Sequence, residues 1–136
     1  MANKLHLQIV TANGLVCEEH ADFVLVPIKG GDEGILPDHA AMIAALSHGV
    51  LRYKTENEER YLAIMGGVMS LADNELIILA ERAERAENID LARAQASEKR
   101  ARARIEAKAA NLDMSRAELS LHRSLARQKA YSYLHK

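Results

Sequence analysis

The first half of the chain carries short apolar runs, each bounded by turn-forming residues. The run Leu5 to Val10 is apolar at positions 5, 7 and 9, and similar runs cover 23–28, 50–55, 61–65 and 76–79. Short runs rich in β-branched residues are typical of strands. The Gly66-Gly67 pair, Asn57 and the 73–74 segment are candidate hairpins or bulges between them. The pattern predicts an antiparallel sandwich or barrel of about 85 residues.

The second half has a different pattern, which favours helix. All seven Gly and both Pro occur up to Gly67, whereas from Asn88 onward the chain has eleven Ala, eleven Lys or Arg, and neither Gly nor Pro. These residue types have high helix propensity. The pattern breaks at 111–113, and so short a connection between two helices favours an antiparallel hairpin. We therefore expect an α+β fold, with an antiparallel β-sandwich over 1–86 followed by an α-helical hairpin over 87–136.

Small side chains are expected to form the contact between the two helices. Five alanines recur three to seven residues apart and predict a stripe on one face of the first helix: Ala92, Ala96, Ala103, Ala107 and Ala110. In the second helix, Ala117, Leu121 and Leu125 share a face, and Ser115 with Glu118 resembles a capping box. Because alanine offers little apolar area, the hairpin should be marginally stable and easily biased by a ligand or partner.

Charge divides the chain at nearly the same place as secondary structure. Residues 1–86 hold 7 Lys and Arg against 13 Asp and Glu, a balance of −6, and residues 87–136 hold 11 against 6, a balance of +5. This opposition predicts separate electrostatic roles, or mutual attraction of the two parts.

Several function classes are excluded by what the sequence lacks. No stretch free of charged residues approaches the roughly 18–20 needed for a transmembrane helix, and the start has no apolar signal region, which favours a location on the cytosolic side. The six His show no metal-ligand spacing, so no metal site is expected. Nucleic-acid binding is disfavoured because the arginines have no aromatic residues among them and the first half is acidic.

An arginine set on the helical arm could converge in space. If the hairpin turns near 111–112, Arg100 and Arg123 each lie about eleven residues from the turn and stand level at ~1.5 Å per residue. Arg127 follows Arg123 by one helical turn, and Arg93 precedes Arg100 by two. Converging guanidiniums repel unless acidic side chains or a polyanion such as a nucleoside triphosphate compensate them. The alternative is that the arginines form a solvated basic face.

Two segments resemble motifs of one family, the epsilon subunit of F-type ATP synthases. Residues 34–40, GILPDHA, resemble its Gly-x-Leu-Pro-x-His-Ala segment, although Ala41-Met42 replaces the Pro-Leu that often follows. Residues 89–94, IDLARA, resemble the nucleotide-binding motif of bacterial members, Ile or Leu followed by Asp-x-x-Arg-Ala. Both occur in the expected order in a chain of suitable length, so the resemblance covers essentially the whole chain.

The resemblance implies a site for ATP as a regulatory ligand. Asp90, in the first helical turn, can also simply interact with the helix dipole and pair with Arg93. Carried over by position, the implied ATP-binding residues are Glu84, Ile89, Asp90, Arg93, Ala94, Arg100, Arg123 and Arg127. We expect the arginines to hold the phosphates and the Ile89-Asp90 segment to meet the base. Catalysis is not expected, because residues 30–34 lack the Lys-Ser/Thr of a phosphate-binding loop and no water-orienting set accompanies the arginines.

The resemblance also implies partners and a place in the cell. The loop from Gly30 to His39 matches the surface that contacts the ring of membrane-embedded c subunits, and its polar members are Asp32, Glu33, Asp38 and His39. The implied function is that of a peripheral rotor subunit on the cytoplasmic face of the bacterial membrane. Its sandwich would bind the gamma subunit and the ring, and its extended arm would reach the alpha and beta subunits and inhibit ATP hydrolysis. The alternative is a free-standing ATP-sensing module with another partner.

Overall fold

A computed structural model of the protein describes residues 3–107 and 114–135. Within these residues, seven strands are followed by a 3₁₀ turn at Ala86–Asn88 and two helices. The strands are β1 (Leu5–Thr11), β2 (Gly14–Ala21), β3 (Phe23–Ile28), β4 (Gly31–Ile35), β5 (Met42–Lys54), β6 (Glu59–Ala72) and β7 (Glu75–Arg85). The helices are α1 (Leu91–Ala107) and α2 (Met114–Leu134). The predicted fold class, a β-sandwich followed by two helices, is confirmed.

The strands form one folded sheet in the order β2-β1-β7-β6-β5-β3-β4. Neighbouring strands in the described residues are antiparallel except β1 and β7, which pair in parallel from His6↔Glu75 to Val10↔Leu79. All seven strands contribute to one aliphatic core, represented by Leu7, Ile35 and Ile64. Strand β4 occupies part of the segment expected to be a loop, because residues 31–35 pair with β3.

A bulge in β6 divides the sheet into two parts with opposite alternation of inward and outward side chains. Leu62 and Ile64 face the core before it, whereas Met69 and Leu71 do so after it, so the inward positions change from even to odd numbers. The glycine pair 66–67 causes this change, since both residues have positive φ (78° and 123°). A side chain at position 67 would clash with the carbonyl oxygen of Leu79, which only glycine avoids.

Helix α2 covers the outer face of β5 and β6 on one side of this bulge. Ala63 and Met65 point away from the sandwich core there and pack with Ala126 and Ala130 of α2. Val50, Ala86 and Ile89 complete the same apolar cluster. The stacked rings of Tyr61 and Tyr133, 5.2 Å apart, extend it to the end of α2. The arm is thus docked on the sandwich through α2.

The predicted alanine stripe of the first helix is wrong. Ala92, Ala96, Ala103 and Ala107 are exposed, Ala110 lies outside the described residues, and the buried alanines of α1 are Ala94 and Ala101. These two are seven residues apart, as a helix–helix contact requires. Alanine occurs on every side of α1, so its spacing alone could not identify the buried face.

Helix α2 buries only part of the face that Ala117, Leu121 and Leu125 share, and its predicted capping box is wrong. Leu125 is exposed, whereas Ala117, Ser124, Ala126 and Ala130 are buried. Ser115 lies inside the helix, so it cannot be the N-cap of the predicted capping box. The predicted turn at 111–113 lies outside the described residues.

Candidate functional site

A cleft of about 410 Å³ opens where β7, the 3₁₀ turn and both helices meet. One wall is the end of β7, the other is the first three turns of α1, and α2 closes the cleft with Arg127. Pockets of about 300–1,000 Å³ are usual for small ligands. The lining residues are Arg82, Glu84, Asn88, Asp90, Arg93, Ala94, Ser97, Arg100 and Arg127.

Six of the eight residues proposed for nucleotide binding line this cleft: Glu84, Asp90, Arg93, Ala94, Arg100 and Arg127. The structure therefore brings together residues from the last strand and from both helices. Ile89 does not line the cleft, because its side chain is buried in the apolar cluster between the sheet and α2.

Arg123 is the second proposed residue that lies outside the cleft. Gln128 Nε2 donates to Glu98 Oε1 at 2.8 Å, so residues 98 and 128 stand level. At equal rise in both antiparallel helices, Arg100 is then level with about residue 126. Arg123 lies about three residues from its expected register and is not among the residues that line the cleft.

The environment of Arg123 leaves its charge poorly compensated. Its Nε is buried without a hydrogen-bond partner among the described residues. Burial lowers the pKa of this guanidinium, and the charges of Arg82 and Arg127 lower it further, whereas Glu81 acts in the opposite direction. Arginine stays protonated in proteins, so the consequence is local repulsion and not loss of the proton.

Positive charge exceeds negative charge in the cleft. Four of its lining residues are arginines and two, Glu84 and Asp90, are acidic. Glu84 is already engaged, because Nε and Nη2 of Arg127 each lie 2.9 Å from its Oε1. Arg82, Arg93 and Arg100 have no carboxylate partner among the described residues. The cleft is therefore suited to an anionic ligand.

Asp90 has a clear structural role at the start of α1. The backbone N–H of Arg93 donates to Asp90 Oδ1 at 3.1 Å, and the N–H of Ala94 donates to the carbonyl oxygen of Asp90 at 3.0 Å. Asp90 is thus the N-cap of α1. This cap fixes the helix start so that Arg93, Ser97 and Arg100, which are four and three residues apart, face the cleft.

Three lining residues were not anticipated from the sequence: Arg82, Asn88 and Ser97. Ser97 follows Arg93 by one helical turn, and Arg82 precedes Glu84 by two positions on the same strand. Both spacings could have indicated a shared face. That signal requires knowing which strand and helix faces meet, which the local pattern does not contain.

The four proposed partner-contact residues lie at the β4 end of the sandwich. Asp32 and Glu33 belong to β4, and His39 Nε2 lies 3.4 Å from Glu33 Oε1. Asp38 has a left-handed backbone (φ 69°), and its carboxylate accepts hydrogen bonds from Asn3 and Asn74 at 3.0 and 3.1 Å. Those bonds, from Asn74 first and then Asn3, hold the pKa of Asp38 below its usual range. The segment is therefore held firmly with charged groups at the surface.

A second surface feature is an exposed apolar row on the other side of the β6 bulge. Register partners place Leu15, Val10, Leu79, Val68 and Ala45 side by side across β2, β1, β7, β6 and β5. Leu15, Leu79 and Val68 are 57%, 52% and 44% exposed. Exposed apolar groups aligned in this way are typical of surfaces that bind other proteins.

The described residues contain no group of His, Cys, Asp and Glu suited to a metal ion. Within the same residues, no helix is long and apolar enough to cross a membrane.

Comparison with known proteins gives two adjoining family matches. Residues 4–86 match the family described as ATP synthase, Delta/Epsilon chain, beta-sandwich domain. Residues 87–132 match ATP synthase, Delta/Epsilon chain, long alpha-helix domain.

Curated relatives agree with both matches. The ATP synthase epsilon chain of Carboxydothermus hydrogenoformans is 44% identical over 105 residues, which cover 77% of this chain and 78% of the relative. That of Nitratidesulfovibrio vulgaris (strain DP4) is 41% identical with the same coverage.

Solved structures share the fold at lower sequence identity. A chain in the Euglena gracilis mitochondrial ATP synthase (OSCP/F1/c-ring) matches with a TM-score of 0.82 and 19% identity over 99% of this chain and 84% of that chain. One in the Tetrahymena thermophila mitochondrial ATP synthase (central stalk/c-ring) matches with a TM-score of 0.57 and 13% identity over 98% of each chain.

Proposed function

The chain belongs to the ATP synthase delta/epsilon chain family and is an epsilon subunit of the F-type central stalk, itself non-catalytic; from this premise we propose that its helical arm is an ATP-sensitive regulator of ATP hydrolysis. The observation that carries the proposal is the arginine-rich cleft, whose walls come from the sandwich and both helices. A ligand bound there contacts the arm only while the arm is folded against the sandwich. ATP is thereby a ligand of the compact form alone.

The charge of the cleft favours a nucleoside triphosphate over a neutral ligand. Arg93 and Arg100 hold its phosphates, and Asp90 lies at the end where the base binds. Ile89 supports that end from beneath, since it is buried in the apolar cluster. Ala94 leaves space beside the helix backbone. Arg127 exchanges part of its pairing with Glu84 for phosphate.

ATP binding shifts the arm towards its folded form. The folded form gains RT ln(1 + [L]/Kd), about 2.7 kcal/mol when the ligand is at 100 times its Kd. The alanine contacts between the helices and the small α2–sheet cluster bury little area, so a shift of this size decides the equilibrium. Without ATP, the arm extends along gamma and its basic face contacts the alpha and beta subunits, which inhibits hydrolysis.

The sandwich is the fixed adaptor of the subunit. Its exposed apolar row binds the gamma subunit, and Asp32, Glu33, Asp38 and His39 contact the ring of c subunits. These contacts place the protein peripherally on the cytoplasmic face of the bacterial membrane.

The alternative function is that of a free-standing ATP sensor, in which the apolar row binds another partner. Co-purification distinguishes the two, because only a stalk subunit is recovered with gamma and the alpha–beta ring.

The nucleotide site is tested by titrating the full chain with ATP while a pair of probes reports the distance between α1 and α2. We expect Arg93→Ala and Arg100→Ala to weaken ATP binding by about tenfold each, as for the loss of one charged hydrogen bond. Arg104→Ala, an exposed arginine of α1 outside the cleft, is the matched control and should bind normally. Unchanged affinity in both cleft variants would contradict the proposed site.

The regulatory role is tested in the assembled complex. Removal of the chain after Asn111 should preserve assembly while raising ATP hydrolysis. If hydrolysis by the assembled complex does not rise, the arm is not an inhibitor.

A further inference from the structure

We propose that Arg82 of β7 is an additional ligand-binding residue, which contacts the terminal phosphate of the nucleotide and fastens the bound ligand to the sandwich. This inference rests on the proposed nucleotide site and extends it, because the other arginines of the cleft all belong to the helical arm. The strand contributes Arg82 beside Glu84, two positions further along the same face.

Arg82 is available for a ligand. It lines the cleft, its side chain is exposed, and it forms no ion pair or hydrogen bond with the described residues. The nearest carboxylate on its own face, Glu84, is already held by Arg127 at 2.9 Å. A cation in this position lacks a counter-charge, and an anion bound in the cleft would supply it.

Arg123 lies at the level of Arg82, because the ring of the neighbouring His122 is 5.8 Å from that of His48, whose register partner Met65 pairs with Arg82. Burial lowers the pKa of Arg123 most, and the positive charge of Arg82 lowers it further. Arg123 also has a buried Nε without a partner in the described part of the chain. Arg123 therefore adds positive charge beside Arg82, at the end of the cleft that Arg82 lines.

The order of residues along each wall assigns that end to the terminal phosphate. On α2, Arg127 pairs with Glu84, whereas His122 lies beside His48, whose register partner Met65 pairs with Arg82, so the step towards Arg123 runs from the Glu84 side to the Arg82 side. On α1, the step from Asp90 to Arg100 runs in the same direction, away from the helix start. With the base at the Asp90 end, the phosphate chain extends towards Arg100 and Arg82. A nucleoside monophosphate is too short to reach them.

The consequence is a bridge between all three elements. A bound triphosphate contacts α1 through Arg93 and Arg100, α2 through Arg127, and the sandwich through Arg82. The ligand therefore holds the hairpin closed and also holds it against the sandwich. The affinity for the nucleotide therefore depends on the number of its phosphates through Arg82, a residue outside the arm.

The test measures the dissociation constants of ATP, ADP and AMP for the full chain and for Arg82→Gln, Arg82→Lys and the control Arg104→Gln. Arg82→Gln should weaken ATP by about tenfold, the loss expected for one charged hydrogen bond, and leave AMP unchanged. Arg82→Lys should recover part of the ATP affinity, and Arg104→Gln should match the unaltered chain. Circular dichroism confirms that the exposed substitution leaves the fold intact.

Arg93→Gln, measured in parallel, distinguishes failure of the proposed nucleotide site from failure of the role assigned to Arg82. If the unaltered chain does not bind ATP, the proposed site fails and the role of Arg82 fails with it. If Arg93→Gln weakens ATP binding but Arg82→Gln leaves the dissociation constant of ATP unchanged, the site stands and the assignment of Arg82 is overturned. Equal weakening of ATP and AMP binding by Arg82→Gln also overturns the assignment. That result would reflect the loss of one positive charge from the cleft and not the loss of a contact with the terminal phosphate.

Discussion

Glu84 of β7 and Arg127 of α2 form an ion pair across 43 residues of sequence, with Nε and Nη2 of the guanidinium each 2.9 Å from the same carboxylate oxygen. This pair is the direct polar link between the sandwich and the second helix at the cleft. It neutralises Arg127 while the cleft contains no anion. The link therefore belongs to the folded arm and has no counterpart once α2 leaves the sheet.

Removing this ion pair should loosen the arm modestly. The two side chains are partly exposed, so a double-mutant cycle with Glu84→Gln and Arg127→Gln should give a coupling energy of about 0.5–1 kcal/mol without nucleotide. Hydrogen exchange of α2 gives the free energy of each variant. A coupling energy indistinguishable from zero would mean that the pair does not hold the arm.

The Tyr61–Tyr133 stack should hold the end of α2 on the sheet. The rings are nearly parallel, with an interplanar angle of 6° and centroids 5.2 Å apart. Tyr133→Ala should cost about 1 kcal/mol of local docking energy and speed hydrogen exchange at 126–134, while the sandwich exchanges as before. Leu134→Ala, which removes an exposed neighbouring side chain, is the control. Equal effects of the two variants would argue against the stack.

Acidification should undock α2 through His48. This imidazole on β5 stands 5.8 Å from the ring of His122 on α2, with its Nε2 buried and unpartnered among the described groups. Burial lowers the pKa of His48 first, and the charges of His122 and Arg123 lower it further, while Glu81 opposes them. The undocked state therefore binds the proton more readily, and docking weakens as pH falls below the ordinary histidine value of about 6.5.

The measurement for His48 is hydrogen exchange of α2 between pH 7.5 and 5.5, corrected for intrinsic rates. His48→Gln should make docking less sensitive to pH over this interval. The same slope in His48→Gln as in the unaltered chain would exclude His48 as the source.

The sandwich should respond to pH in the opposite sense through His6. Its Nε2 and Nδ1 lie 2.7 Å from Glu18 and Glu75, so it joins β2 and β7 across β1. The hydrogen bonds to Glu18 and then Glu75 raise the pKa of His6. Its contribution is complete below the unfolded value of about 6.5 and is lost as pH rises through the raised pKa.

Thermal unfolding of the full chain at several pH values measures this contribution. His6→Gln should lower the melting temperature more at pH 5.5 than at pH 8.5. An equal loss at both pH values would show that His6 acts by packing alone.

Gly67 should tolerate no side chain. Alanine there would combine a left-handed backbone with a clash against the carbonyl oxygen of Leu79, which should cost roughly 3 kcal/mol or more in free energy of unfolding. Gly30→Ala is a matched control, since φ is also positive (96°) but no atom lies within 4 Å, and it should cost about 1 kcal/mol. Similar losses in the two variants, by denaturant unfolding, would contradict the proposed clash.

Most of the secondary structure could be predicted from the sequence, and six of the eight residues predicted to bind nucleotide line the cleft. The Leu5–Val10 alternation and the Gly-free basic segment are local patterns that identify strand and helix directly. The two residues that lie elsewhere, Ile89 and Arg123, were positioned by a motif and by an assumed hairpin register. The Gln128–Glu98 contact sets that register differently.

The sequence by itself determined the class of each element, the charge division near residue 87 and the family motifs at 34–40 and 89–94, because these depend on neighbouring residues. Only the tertiary structure decided that β1 pairs in parallel with β7, that Ala94 and Ala101 form the buried face of α1, and that Arg82 lines the cleft. Each of these depends on which surfaces meet across long stretches of chain. Packing selects among faces that have nearly equal local propensities, and a one-residue bulge such as 66–67 reverses which side chains meet.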